Sequence, residues 1–329
     1  MTPTLLDVKD LRVGLPTSRG WAQALRGVSF SMAKGQTLGL IGESGCGKSL
    51  TALALMGLLP ERAQVSGSMR LNGTELVGMS EPQLCQLRGA RMAMIFQEPM
   101  TALNPLHPIW QQIAEPLRLH QSMGAAQAKA RALALLERVQ LPRARERLDA
   151  YPHQLSGGQR QRVMIAMALA CSPDLLIADE PTTALDVTVQ KEVLALIQQL
   201  VREDGMGLLL ISHDLGLMRD QVDRVMVMYG GSVVESAATP ELFAQRAHPY
   251  TRGLFAARPR LGLARGTRLT TIAGSVPDLV DLPAGCAFAD RCPDAVEACR
   301  SHAPEVLTIA PRLPSDTAHQ VSCPRWSLS

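Results

Sequence analysis

Apolar and polar positions alternate from the start of the chain. Leu5 to Val13 alternates well enough to predict a strand. Gly27 to Met32 and Thr37 to Ile41 follow as two more, with a Lys34-Gly35 turn between them. A helix-like run then extends from Lys48 to near Gly57, and Met92 to Phe96 is a short apolar strand. From Asn104 to Gln140 the pattern is mostly helical, rich in Ala, Leu, Gln and Arg. Ala150 to Ser172 reads as a loop followed by a helix, Leu175 to Ala178 as a short buried strand, Val187 to Val201 as a helix and Leu208 to Ser212 as another buried strand. Continuous apolar strands alternating with helices predict an α/β fold whose parallel sheet is covered on both faces. Arg224 to Tyr229, Gly230-Gly231 and Ser232 to Glu235 read as a hairpin closed by a two-glycine turn.

Beyond Ser236 sheet-like runs nearly vanish. Ten of the 22 prolines and four of the seven cysteines lie there. Residues 237–329 therefore read as a smaller, loop-rich appendage to a domain spanning 1–236. Composition narrows the picture further. Of the 329 residues 46% are apolar and 19% charged, which supplies ample core and excludes disorder as the main state. A net charge of +3 implies no general nucleic-acid-binding field. Aromatics are 3% of the chain, too few for platforms that stack single strands. The cleanest apolar run, Leu50 to Leu59, falls far short of the roughly 18–20 residues a membrane span needs. Asp7, Lys9, Asp10 and Arg12 stand where a secretion signal needs an apolar core. The chain is expected in the cytosol, with a peripheral seat on a membrane protein still open.

Chemistry enters at Gly42-Glu43-Ser44-Gly45-Cys46-Gly47-Lys48-Ser49, which fits G-x-x-x-x-G-K-[ST] between a predicted strand and a predicted helix. Its glycines let backbone N–H groups curl around phosphate oxygens, and the helix N-terminus adds positive potential. Lys48 is expected to reach the β- and γ-phosphates of ATP, and the Ser49 hydroxyl to ligate Mg²⁺. Cys46, beside Lys48 and a helix start, is expected to favour the thiolate. Leu175 to Ala178 runs into Asp179-Glu180, so an apolar strand delivers two carboxylates to the edge where doubly wound sheets bind ligands. Asp179 is placed to hold Mg²⁺ through water, and Glu180 to act as general base on an attacking water.

Leu155-Ser156-Gly157-Gly158-Gln159 precedes a predicted helix and forms a second anion site, with a hydroxyl and free N–H groups. One ATP does not need two such sites from one chain. A two-fold dimer does, if the second site of each chain closes on the nucleotide of the other.

With these motifs in place, residues 5–236 resemble the ATP-binding-cassette (ABC) ATPases. The resemblance implies a P-loop nucleotide-binding domain with a parallel-sheet core, an antiparallel β subdomain and a helical subdomain over about 98–172. It implies that Gln97, in Met94-Ile-Phe-Gln-Glu98, touches Mg²⁺ and senses a transmembrane partner. Ala184-Leu185-Asp186 matches the family's D-loop, and His213 its switch histidine at the γ-phosphate. The family usually stacks an aromatic on adenine; Trp21 is the candidate here. Phe96 to Pro105, Tyr151 to Ser156, Ala178 to Val187 and His248-Pro-Tyr-Thr251 are similar to the ATPase subunits of dipeptide and oligopeptide importers. That similarity spans nearly the whole chain. It implies a peripheral subunit on the cytoplasmic face of the inner membrane, paired with a related second ATPase (a homodimer being the alternative). Two membrane-spanning permeases and an extracytoplasmic binding protein complete the implied machine, with no nucleic acid involved. Importers of nickel and glutathione share these motifs, and a soluble non-transport ABC ATPase is the remaining alternative.

The four late cysteines, Cys286, Cys292, Cys299 and Cys323, sit among Pro and Gly turns. In a reducing compartment such a cluster suggests metal before disulfide. Their spacing is wider than that of zinc knuckles. Zinc, an iron–sulfur cluster and packed free thiols are all compatible with the residues themselves. The peptide-importer resemblance implies a [4Fe–4S] cluster.

Overall fold

The computed structural model describes residues 3–97, 102–183, 185–258, 270–314 and 317–327. The first two strands, β1 (Thr4–Thr17) and β2 (Gly20–Ala33), form a long antiparallel hairpin. After β3 (Thr37–Ile41) and the helix Lys48–Met56, β4 (Gln64–Leu71) pairs with β1, and β5 (Thr74–Glu75) pairs with β4. These make a four-stranded antiparallel sheet in the order β2-β1-β4-β5. β4 and β5 escape the sequence pattern, because Gln64-Val-Ser-Gly-Ser-Met-Arg-Leu71 is polar and only half covered.

The main sheet has eight strands. To β3 it adds β6 (Met92–Ile95), β7 (Leu175–Asp179), β8 (Gly207–Ile211), β9 (Arg224–Tyr229), β10 (Ser232–Ala238), β11 (Leu307–Ile309) and β12 (His319–Val321). Its order is β11-β12-β10-β9-β3-β8-β7-β6. The block β9-β3-β8-β7-β6 is parallel, as the continuous apolar runs predict. The cause of those runs is visible in the two cores. Leu208 and Leu210 of β8 enter one core, shared with the helices; Leu209 and Ile211 enter the other, under the antiparallel sheet. Every position of β8 is buried, and none is polar.

Helices Ile109–Gln121, Ala125–Arg138 and Gly157–Ala168 pack against one another beside the β6 edge. The predicted hairpin is β9–β10, turning at Gly230-Gly231. The late segment behaves differently from its sequence pattern. Two three-residue strands there continue the main sheet, with β12 pairing both β10 and β11. Behind this junction His319 is wholly buried between two carboxylates. Nε2 stands 2.9 Å from Glu235 and Nδ1 3.3 Å from Glu241. Glu235 also accepts from the backbone N–H groups of Ala247 and His248, and Glu241 from those of Arg312 and Leu313. Burial would raise the Glu241 carboxyl, but these backbone donors and His319 outweigh it and hold the group below its ordinary range. No helix among the described residues is long and apolar enough to cross a membrane.

Candidate active site

Three parallel strands end at one edge and deliver the site. β3 leads into the loop from Gly42, β7 ends at Asp179 and β8 runs into Ser212-His213. The ladder carries on past the strand ends. Glu180 N–H donates to Ile211 O at 3.0 Å and Ser212 N–H to Leu40 O at 3.2 Å. The loop 42–47 then turns into the helix Lys48–Met56, with Gly47 in the left-handed region at φ 105°. A Cβ on Gly42 would stand 2.3 Å from Met228 O, so only glycine lets the loop lie this close to β9.

Lys48 is buried and its Nζ donates to Gly42 O at 2.9 Å and to Glu43 O at 3.0 Å. Ser49 Oγ donates to Asp179 Oδ1 at 3.1 Å, so the proposed hydroxyl and carboxylate ligands meet. Burial pushes the Asp179 carboxyl up, Ser49 pulls it back, and Glu180 adds repulsion. A divalent cation at this point would reverse the balance. Glu180 gathers the remaining residues. It accepts from Gln97 Nε2 at 3.3 Å and Thr183 Oγ1 at 2.9 Å, and stands 3.1 Å from His213 Nδ1. Its φ is 45°, a left-handed conformation uncommon outside glycine, asparagine and aspartate. Ser44, Gly45, Gly47, Lys48, Ser49, Gln97, Glu180 and His213 line one open cavity of about 380 Å³.

Other expected residues lie elsewhere. Ser156 caps the helix Gly157–Ala168, and its N–H donates to Gln159 Oε1 at 3.1 Å. Ser156 and Gly157 are exposed and line no part of the cavity at Lys48. Asp186 caps the helix Val187–Asp204, accepting from Thr188 and Val189 N–H at 3.1 and 3.0 Å. Of the D-loop match, Ala184 is outside the described residues, as is Glu98 after Gln97. Trp21 is 56% exposed on β2, its ring near Gly14, and does not line the cavity; Ala24, Leu50 and Leu279 supply the apolar lining there. Cys46 is 1% exposed, and burial pushes its thiol up despite Lys48 nearby. The expectation of a reactive thiolate is therefore overturned: desolvation outweighs the neighbouring charge.

The four late cysteines are free thiols, and all line a second cavity of about 340 Å³. Burial and mutual repulsion push Cys286 up to about 11, and burial raises Cys292 and Cys323 as well. The donor set suits a thiolate-liganded group. Among the described residues, no three His, Cys, Asp or Glu are placed to hold one metal ion between them.

Sequence patterning missed four residues of the site's surroundings. Thr183 touches Glu180. Tyr250, in the helix Pro249–Ala256 capped by His248, accepts the Glu43 N–H on its hydroxyl at 2.8 Å. Arg291 reaches Glu43, and Leu279 lines the cavity. The last three come from beyond residue 237; Tyr250 sits in the His248-Pro-Tyr-Thr251 motif, which marks kinship and not this contact, and Arg291 and Leu279 carry no local motif.

Strand, phosphate loop, helix and an acidic pair at the end of β7, two strands along the same sheet, define a P-loop nucleotide-binding cassette. Residues 25–183 match the ABC transporter family, and residues 234–299 match the oligopeptide/dipeptide transporter C-terminal region. The chain is 48% identical over 300 residues to the oligopeptide transport ATP-binding protein OppD of Escherichia coli, covering 91% of this chain and 89% of that one. It is 46% identical over 329 residues to OppD of Mycobacterium bovis, where all of this chain spans only 53% of the relative. Among solved structures, the dimeric ATP-binding cassette MJ0796, in a post-hydrolysis state bound to ADP and phosphate, is similar with a TM-score of 0.65 at 26% identity. That match covers 71% of this chain and 99% of the other. The chain belongs to the family of ATP-binding proteins of oligopeptide and dipeptide ABC transporters.

Proposed function

We propose that this chain is the ATP-hydrolysing motor of a peptide importer. The observation that carries the reading is the convergence on one cavity of Lys48, the Ser49–Asp179 pair, and Glu180 with its partners Gln97 and His213. Lys48 and the loop N–H groups hold the β- and γ-phosphates. Ser49, Asp179 and Gln97 would hold Mg²⁺, which would neutralise charge on the phosphate oxygens. Glu180 accepts a proton from the attacking water as its oxygen bonds to the γ-phosphorus, and the bond to the ADP oxygen breaks. His213 donates to the γ-phosphate oxygens, while Gln97 and Thr183 hold the Glu180 carboxylate. Catalysis is then positioning and charge neutralisation, with no covalent intermediate.

The Ser156-Gly157-Gly158 helix start, exposed at Ser156 and Gly157, and Asp186 belong to the face that meets a second ATPase subunit, so that each nucleotide is sandwiched. Permeases, an extracytoplasmic binding protein and a seat at the cytoplasmic face of the inner membrane complete the proposal, which the likeness to oligopeptide transport ATP-binding proteins supports. Peptides are the cargo; nickel or glutathione is the alternative. Cys286, Cys292, Cys299 and Cys323, drawn together from around the cavity they line, would hold a [4Fe–4S] cluster of structural role, with zinc as the alternative.

The assembled transporter in vesicles tests the reading. Uptake of a labelled dipeptide should require MgATP inside and fail with a non-hydrolysable analogue. Peptide-independent hydrolysis with nickel-dependent stimulation would move the cargo to the metal. Anaerobically purified chain should carry about four iron and four sulfide, lost in Cys292→Ser. One zinc per chain would select the alternative.

A further inference from the structure

Glu43 is held at three points, and two of its partners lie far along the chain. Its N–H meets Tyr250 Oη at 2.8 Å, and its carbonyl takes the Lys48 ammonium at 3.0 Å. Its carboxylate is clamped by both Arg291 terminal nitrogens, at 2.7 and 3.1 Å. Arg291 lies 248 residues away, between Cys286 and Cys292, and its side chain is only 5% exposed. Its Nε donates to Ala273 O at 2.9 Å, one Nη reaches the Tyr229 hydroxyl at 3.3 Å, and the guanidinium stands 5.7 Å from the Tyr229 ring centre. A planar fork fixed this fully has one position available. The same extension reaches the cavity a second way. Leu279 lines it, on a segment tied to the β1–β2 hairpin by Arg19 to Asp281 at 2.6 and 2.7 Å and by Arg26 to Pro283 O at 3.1 Å.

The clamp answers an electrostatic problem in the loop. A carboxylate two residues before Gly45, beside a loop that cradles a triphosphate, repels its own ligand unless neutralised. Arg291 supplies that charge from behind the loop, and by fixing Glu43 it fixes the carbonyl that aims Lys48.

We propose that the C-terminal extension is part of the nucleotide site, with Arg291 as a positioning residue that holds the phosphate loop through Glu43. This rests on the nucleotide-binding reading above. It makes nucleotide affinity depend on the fold of the cysteine-bearing extension.

Steady-state phosphate release from the full chain in its transporter, at varied MgATP, tests the proposal. Arg291→Gln should raise KM about tenfold, the loss of one charge-assisted pair, with kcat within twofold. Arg291→Lys, which keeps the charge and loses the fork, should fall between that variant and wild type. In a Glu43→Gln background, Arg291→Gln should add less than twofold, because no charge remains to neutralise. Effects on KM that add independently, or a fall in kcat and melting temperature with KM unchanged, overturn it: the arginine is then only a strut. If Arg291→Gln does not fold, Arg291→Lys carries the same cycle. Wild-type protein that binds no MgATP overturns the nucleotide reading itself, whereas wild-type binding with additive variants overturns only this proposal.

Discussion

The phosphate loop before the helix Lys48–Met56 and the Ser156 start of the helix Gly157–Ala168 offer the same chemistry, free N–H groups at a helix N-terminus. They are built differently. The first is enclosed: Met228 O presses on Gly42, Tyr250 and Arg291 hold Glu43, and Asp179 meets Ser49. The second is finished by its own Gln159 and Ser156 and then left exposed. A loop that must grip phosphate alone needs support from behind. A helix start that completes the site of another chain, as proposed above for Ser156, would need shape and access. The contrast supports reading the molecule as half of a sandwich.

Glu180→Gln should have the largest effect. Removing a general base costs about 10²–10⁴-fold, while the loop keeps its ligand. Phosphate release should nearly stop as ATP stays bound and the closed pair accumulates on a sizing column. Near-normal turnover would remove Glu180 from the role of base and leave the two helix starts without the chemistry that links them.

Gly157→Leu separates the two directly. A Cβ there has Leu185 Cδ2 at 3.5 Å, ordinary contact, so the fold tolerates a side chain. Its bulk obstructs the outer face. Hydrolysis should fall about a hundredfold, as when a charge-stabilising donor is lost. MgATP affinity of the unpaired chain should shift less than threefold. A comparable loss of affinity in the unpaired chain would mean that both helix starts serve one nucleotide within one chain.

Two further measurements address the support behind the loop. His319→Ala leaves Glu235 and Glu241 buried without their shared partner and should cost about 3–5 kcal/mol. Amide exchange should then rise at residues 43–51 before it rises at 157–165. Acid should act in the same direction. His248 is held neutral by burial, its folded value near 3. Unfolded, it binds a proton below about 6.5, so its contribution is present above pH 6.5 and declines as pH falls toward 3, by about 1.4 kcal/mol per unit. The Glu241 contribution is likewise lost as pH falls through its lowered folded value. Equal acid sensitivity at both helix starts would detach the phosphate loop from this network.

The smallest effect concerns Cys46. Buried and pushed up, its thiol should alkylate slowly, with less than twofold change on adding MgATP. Fast labelling that nucleotide suppresses would mean the loop opens far more than its packing implies.

Legibility in the sequence follows the range of the interaction. Lys48, Ser49, Asp179 and Glu180 sit in motifs whose geometry is set within a few residues, so strand and helix patterns place them. The parallel strands are readable because both faces are buried. The Arg291–Glu43 clamp joins residues 248 apart, and no periodicity marks a salt bridge. β11 and β12, three residues each, are too short to show alternation. Trp21 fits the expected residue type at the expected place, and it stands exposed beside Gly14 and outside the lining of the cavity.

The burial of His319 also sets an order of events during synthesis. Glu235 leaves the ribosome 84 residues ahead of the histidine that completes its pocket. At about 5–20 residues per second, that gap is roughly 4–17 s. Throughout it the outer edge of β10 is open, and two carboxylates destined for the interior lack the histidine that later packs between them. A bare strand edge is a template for pairing with other chains. The nascent protein is therefore most exposed to misassembly late, after its catalytic loops are already made, and a holdase that covers the β10 edge should matter more to its yield than one that binds the helices.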